Sequence, residues 1–219
     1  ASEAKLKLLE AQLEPHMLFN TLANLRVLIT LDPPRAVAML DRLNGYLRAT
    51  LGGSRATQHP LEDEFARLAD YLALMAVRMG PRLRSTLDLP DDLRAVQVPP
   101  LLLQPLVENA IRHGLEPQVE GGELQVSARR ESRADGPWLL LRVTDTGAGL
   151  PSDAQAADHD SGRAVNGANG ATSGFGLTQV RERLHTLHGE RASLRLTPRP
   201  GGGTCALIAF PLPRHANPT

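Results

Sequence analysis

Cysteine and lysine are almost missing from this chain. Cys205 is the only cysteine in 219 residues, which excludes an intramolecular disulfide and any multi-cysteine zinc site and makes a reducing, cytoplasmic setting the expectation. Lys5 and Lys7 are the only lysines. A P-loop needs a lysine after its glycines to reach the phosphates, so no such loop is possible here. Net charge is absent too, the formal value being zero, so no global field favours nucleic acid or an anionic membrane. No apolar run approaches the roughly 18 residues that cross a bilayer, and the stretch Ala1–Lys7 has no signal-peptide layout.

What is present is a globular composition, 42% hydrophobic and 22% charged. Domains cluster at about 100 to 150 residues, so two small domains are expected rather than one. The chain opens inside a helical pattern without a cap, which predicts further protein upstream. Leu6, Leu9 and Leu13 form one stripe, and Leu18, Leu22, Leu25 and Ile29 form a second one nearly opposite. His16, Asn20 and Asn24 fall on the face that the second stripe leaves free. Pro15 removes a hydrogen bond to Ala11, so a kink is expected beside His16.

Asp32-Pro33-Pro34 punctuates the pattern, which resumes with Val37, Leu40, Leu43, Leu47 and Leu51. A helical hairpin is expected, too narrow in its apolar faces to stand alone, and so pairing with a second copy into a four-helix bundle. Gly52-Gly53-Ser54 precedes a third amphipathic run of Leu61, Phe65, Leu68, Leu72, Met75 and Met79. After Gly80-Pro81 the character changes. Residues 101–111 are apolar on nearly every side, as in a helix buried against a sheet. Strands are expected at residues 124–128, 139–143 and 205–210 from their alternation, and a helix from Leu177 to about His188. Residues 151–173 form a polar stretch too long for an ordinary connection, expected to be a lid. The predicted division is 1–80 and 81–219.

Three motifs follow in order: Glu108-Asn109-Ala110-Ile111-Arg112-His113-Gly114, Asp145-Thr146-Gly147-Ala148-Gly149 and Gly174-Phe175-Gly176-Leu177. Together they resemble the N, G1 and G2 boxes of the Bergerat ATP-binding fold of histidine kinases, gyrase-type topoisomerases, Hsp90-type chaperones and mismatch-repair ATPases. The resemblance implies an α+β chain whose second part is an α/β sandwich binding ATP and Mg2+. Asn109 would offer an amide oxygen to magnesium, a hard cation completed by phosphates and water. Arg112, one turn on, would reach the phosphates. Asp145 would accept a hydrogen bond from the adenine amine, with Gly147 and Gly149 letting the backbone approach the base. Gly174, Gly176 and Leu177 stand at the expected start of a helix, where free amides favour phosphate oxygens. Thr204, after Gly201-Gly202-Gly203, would sit near the adenine. His113 either faces the nucleotide or merely favours a helix end, with Gly114 read as the cap.

The first part resembles the LytS-like sensor histidine kinases, in which Pro-His-Phe-Leu-Phe-Asn is typical. Here Pro15-His16-Met17-Leu18-Phe19-Asn20 stands at that place, with Met17 for phenylalanine. Tyr46-Leu47-Arg48, Pro60-Leu61-Glu62-Asp63-Glu64, Asp70-Tyr71-Leu72 and residues 100–114 match as well. The resemblance implies autophosphorylation of His16 and transfer to an aspartate of a response regulator, of LytTR DNA-binding type. It implies a homodimer that touches no nucleic acid itself, the cytoplasmic part of an inner-membrane protein whose membrane segments lie upstream. A neutral imidazole is a good nucleophile near pH 7. Its base is Glu108, Glu14 or neither, with Glu108 ranked first beside Asn109. Asn20 would position water for the reverse phosphatase reaction. Two other readings are a Bergerat ATPase, in which Glu108 activates water, and a nucleotide-binding scaffold without transfer. His59, His159, His185, His188 and His215 have no comparable setting.

Overall fold

The computed structural model describes residues 15–51, 57–150 and 173–213. The stripe of Leu6, Leu9 and Leu13, the partner of the expected kink at Ala11, the break at Gly52-Gly53-Ser54 and all of the expected lid but Ser173 lie outside the described residues.

The first helical stretch, α1, spans Pro15–Leu31, and α2 spans Pro33–Leu51. One residue separates them. The Asp32 N–H still donates to the Leu28 carbonyl at 2.8 Å, its carbonyl accepts from Ala36 at 3.0 Å, and its carboxylate accepts the Arg35 N–H at 3.2 Å. Asp32 thus acts as an N-cap, and Pro33 and Pro34 sit where a missing N–H breaks no bond. The joint is tighter than the sequence suggests. Helix α3, Leu61–Met79, buries all six apolar residues of its predicted stripe. It enters from a two-residue strand β1, His59–Pro60, which pairs antiparallel with β3, Gln97–Val98.

Five further strands build the main sheet: β2 (Leu83–Asp88), β4 (Gly122–Arg133), β5 (Gly136–Asp145), β6 (Ser193–Pro198) and β7 (Thr204–Pro211). Their order is β2-β4-β5-β7-β6, with only the β2–β4 pair parallel. The period of two turns one face inward. Leu124, Val126 and Ala128 are buried on β4, Leu139, Leu141 and Val143 on β5, and Ala206, Ile208 and Phe210 on β7. Burying such side chains stabilises by about 1.5 to 3 kcal/mol each.

Helix α4, Gln104–Asn109, and α5, Ser173–His188, complete the core, to which Val107, Ile111, Val180 and Leu184 contribute. The same apolar cluster reaches through α3 to Met39 and Leu43 of α2. Two expectations change here. Helix α5 already includes Gly174 and Gly176 rather than starting at Leu177. Gly114 is not a helix cap, because α4 continues with π geometry over Ala110–Leu115 and is capped by Glu116, whose N–H reaches the Ile111 carbonyl at 2.8 Å. The wider turn is one that helices use sparingly and often at functional positions.

Candidate active site

Strand β5 ends on its inward phase, and that places Asp145 in the core rather than at the surface. The residue is 3% exposed. Its Oδ1 accepts the Gly147 N–H at 2.8 Å, and the Thr204 backbone also donates to the carboxylate. Burial still wins: it pushes the Asp145 carboxyl above the usual carboxylate range, against these two amides and the charge of Arg199.

Three glycines surround that carboxylate because nothing larger fits. A Cβ on Gly114 would stand 2.7 Å from Asp145 Oδ1, and one on Gly147 would stand 2.1 Å from the Gly114 carbonyl carbon. Gly203, at φ +94°, passes so close to β5 that a Cβ would lie 2.0 Å from the Asp145 carbonyl oxygen. The Ala148 N–H closes the arrangement on the Gly114 carbonyl at 3.0 Å. The π-helical turn, the second motif and the triple-glycine turn therefore pack as one unit around Asp145.

Beside it opens a small, shallow cleft. Leu106 and Ala110 line it from the α4 side, and Val143, Leu196 and Ala206 from the sheet. Asp145, Thr204 and Asn109 supply its polar lining. An apolar slot with a few placed polar groups suits a flat heterocycle with an exocyclic amine. The residues present fit a nucleotide: a buried carboxylate for the base, apolar walls for its faces, and an amide for the phosphate side. Among the described residues no group of three His, Cys, Asp or Glu side chains could hold a metal ion by itself. Magnesium commonly takes few protein ligands and relies on substrate phosphates, which matches Asn109 as a single protein oxygen.

The sequence-derived candidates are thus only partly gathered. Asn109, Asp145 and Thr204 share the cleft, and Gly147 braces it. At Gly149, φ +80°, a Cβ would stand 3.5 Å from the Gly203 carbonyl oxygen. Arg112 is half-buried and His113 exposed on the π-helical segment. Glu108 accepts a hydrogen bond from the Gln104 amide at 2.7 Å. Gly174, Gly176 and Leu177 lie on α5, and of the described side chains there Leu177 is not among the lining residues. At Gly176 a Cβ would come within 3.2 Å of Pro105, so this glycine sets the approach of α5 to α4. His16 and Asn20 are both helical, one turn apart on α1. Sequence reasoning missed Gly114 and Gly203 as parts of the site. It also missed Glu64 and His59, which are buried side by side. A glycine next to each motif was the only signal for the first two.

A sheet with the first motif on a buried helix, preceded by amphipathic helices, is the architecture of an ATP-binding core of Bergerat type. Residues 4–83 match the family model described as Histidine kinase, and residues 99–214 match that of the Histidine kinase-, DNA gyrase B-, and HSP90-like ATPases. The chain belongs to the histidine kinase family, with an ATP-binding domain in its second part. The sensor histidine kinase/phosphatase LytS of Staphylococcus aureus (strain Mu50) is 31% identical over 202 residues, 92% of this chain and 33% of that protein. This chain therefore spans about a third of the length of the curated relatives it matches. Among solved structures, the histidine kinase domain of the blue-light activated kinase of Erythrobacter litoralis EL346 has a TM-score of 0.50 at 18% identity, covering 95% of this chain and 91% of that one. A nucleotide-free catalytic domain of histidine kinase ThkA gives 0.50 at 14% identity, over 71% and 96%. These two share the fold.

Proposed function

We propose that this chain is the catalytic core of a two-component sensor kinase, in which His16 takes the γ-phosphoryl group of ATP and hands it to an aspartate of a response regulator. The observation that carries this reading is the single cleft shared by Asn109, Asp145 and Thr204, three residues from separate motifs, downstream of the Pro15-His16 helix. The reading divides the chain at residues 80 and 81 and assigns a lid to residues 151–173.

Asp145 and Thr204 hold the adenine amine edge, and Leu106, Ala110 and Leu196 exclude water from the ring. Arg112 and His113 face the phosphate end, and Gly174, Gly176 and Leu177 bring the amides of α5 to it. Asn109, together with the phosphates, would hold Mg2+, and the ion would supply charge neutralisation on the transferring group. The His16 imidazole nitrogen forms a bond to the γ-phosphorus as the bond to the β–γ bridging oxygen breaks, and ADP leaves. Glu108 takes the imidazole proton. Asn20 positions the water of the phosphatase reaction, an activity that the Staphylococcus relative carries in its name.

Phe19 is 73% exposed and Leu31 76%, and Val27, Ile29 and Val37 are exposed as well. That surface supports a homodimer joined as a four-helix bundle through α1 and α2. No described helix is long and apolar enough to cross a membrane. The reading places the segment on the cytoplasmic side of an inner-membrane protein, with a LytTR-type DNA-binding regulator as partner.

The test is incubation with γ-labelled ATP and magnesium. The protein is expected to acquire an acid-labile, alkali-stable label. Free phosphate without protein label would instead favour a simple ATPase.

A further inference from the structure

Glu64 stands on α3 and is 2% exposed, yet it carries a carboxylate. Such a group is costly to bury unless its oxygens are satisfied. They are satisfied by the backbone just ahead of α4: the N–H groups of Leu101, Leu102 and Leu103 donate to it at 2.8, 2.9 and 3.0 Å. Helix α4 has no side-chain cap from its own N-cap residue, Leu103. The cap is supplied by another helix, 37 to 39 residues upstream. Leu101 adopts φ 57°, a left-handed conformation that a leucine keeps only when its surroundings impose it.

The same turn is gripped from the opposite side. Arg183, on α5, donates from Nη1 to the Pro100 carbonyl at 2.7 Å and to the Leu101 carbonyl at 3.1 Å. One carboxylate takes the N–H groups of the turn and one guanidinium takes its carbonyls. His59 Nε2 stands 3.0 Å from Glu64 Oε1, and Arg67 Nη1 stands 3.6 Å from it.

We infer that Glu64 and Arg183 are positioning residues for the nucleotide cleft, fixing the start of α4 jointly so that α3 and α5 both set where Asn109 stands. Leu106, Asn109 and Ala110, the α4-side residues of the cleft, lie three to seven residues after Leu103, the last of the capped amides. They fall within the first two turns of the helical segment that this cap begins. Helix α3 packs on α2 and α4, and α5 on α4, so the turn is the place where the helical region and the third motif act on one wall. This inference rests on the nucleotide reading above.

The test measures binding of a fluorescent ATP analogue to the wild type, Glu64→Gln, Arg183→Gln and the double variant, with thermal melting alongside. Each single change removes a charge-assisted anchor and is expected to weaken binding about tenfold by lowering the population of the competent turn. In kinase assays KM for ATP is expected to rise with kcat at saturation little changed. The double variant is expected to be little worse than either single, because both act on one turn. Losses that multiply to about a hundredfold would overturn the joint action. Singles that bind like the wild type while melting earlier would reduce the pair to a structural brace and overturn the inference. Should Glu64→Gln not fold, Glu64→Asp and Arg183→Lys carry the same comparison, with the same outcomes deciding. A wild type that fails to bind the analogue would sink the nucleotide reading itself, a result distinct from all of these.

Discussion

The sheet and the paired helices α1 and α2 handle apolar surface in opposite ways. In the sheet the inward positions of β4, β5 and β7 are buried within the chain, down to the carboxylate of Asp145. Along α1 the large apolar side chains Phe19, Leu22, Val27, Ile29 and Leu31 face outward. The sheet hides its apolar face within the chain, whereas α1 leaves a row of large apolar side chains uncovered, although its Leu18, Leu25 and Leu28 pack on the common core. Under the proposed reading that row is where a second copy docks.

The sharpest way to break this contrast is at its two ends. His16→Gln is expected to abolish the acid-labile label while leaving ATP-analogue binding unchanged, since the cleft is lined from the α4 side and the sheet. Label that survives would remove His16 as the acceptor. At the other end, Gly147→Ala is expected to destabilise the fold by about 3 kcal/mol, as its methyl would meet the Gly114 backbone. Denaturant unfolding measures this, and an unchanged midpoint would mean the Asp145 unit is looser than it looks.

Asp145→Asn sits between these in size. Analogue affinity is expected to drop at least about tenfold. The sign for stability is opposite. A carboxyl with a raised folded pKa contributes its stability below its unfolded value of about 3.9 and loses it as pH rises through the folded value. At pH 7 the wild type therefore carries a penalty that asparagine lacks. The variant is expected to melt no lower than wild type at pH 7, with any advantage vanishing as pH falls below about 4. A variant that melts lower at pH 7 and still binds would overturn both halves.

Paired Phe19→Glu and Leu31→Glu changes are expected to shift the protein from dimer to monomer in sedimentation while the monomer keeps binding the analogue. The smallest effect concerns Glu64. Burial raises its pKa, but the adjacent His59 ring and the Leu103 and Leu101 amides outweigh this, so its carboxyl lies below the usual glutamate range. Its stabilisation is present above the unfolded value of about 4.3 and is lost as pH falls through the lowered one. Acid melting curves should lose part of their slope in Glu64→Gln.

Much of the sheet was legible from alternation alone. Leu124, Val126 and Ala128, and Leu139, Leu141 and Val143, proved to be inward runs of β4 and β5. The short strand β2 escaped notice, because Leu83 is its one buried residue and its pairing with β4 is a long-range event. Asp145 and Asn109 stood out in the motifs and Thr204 through the resemblance, and the structure brings the three to one cleft. Two things stayed hidden for a physical reason. The Gly114 reading failed because a π turn and a helix end present the same residue to local pattern. Glu64 failed because its partners are backbone amides, and a backbone N–H has no letter in a sequence.

The approach of Gly114 to Asp145 also has an evolutionary consequence. With only 2.7 Å between the carboxylate oxygen and the place of a methyl group, the two positions form one mutational unit. Alanine at 114 is admissible only in a background where the side chain at 145 has already been shortened. A lineage of this chain would therefore lose the Asp145 side chain before it could lose the glycine.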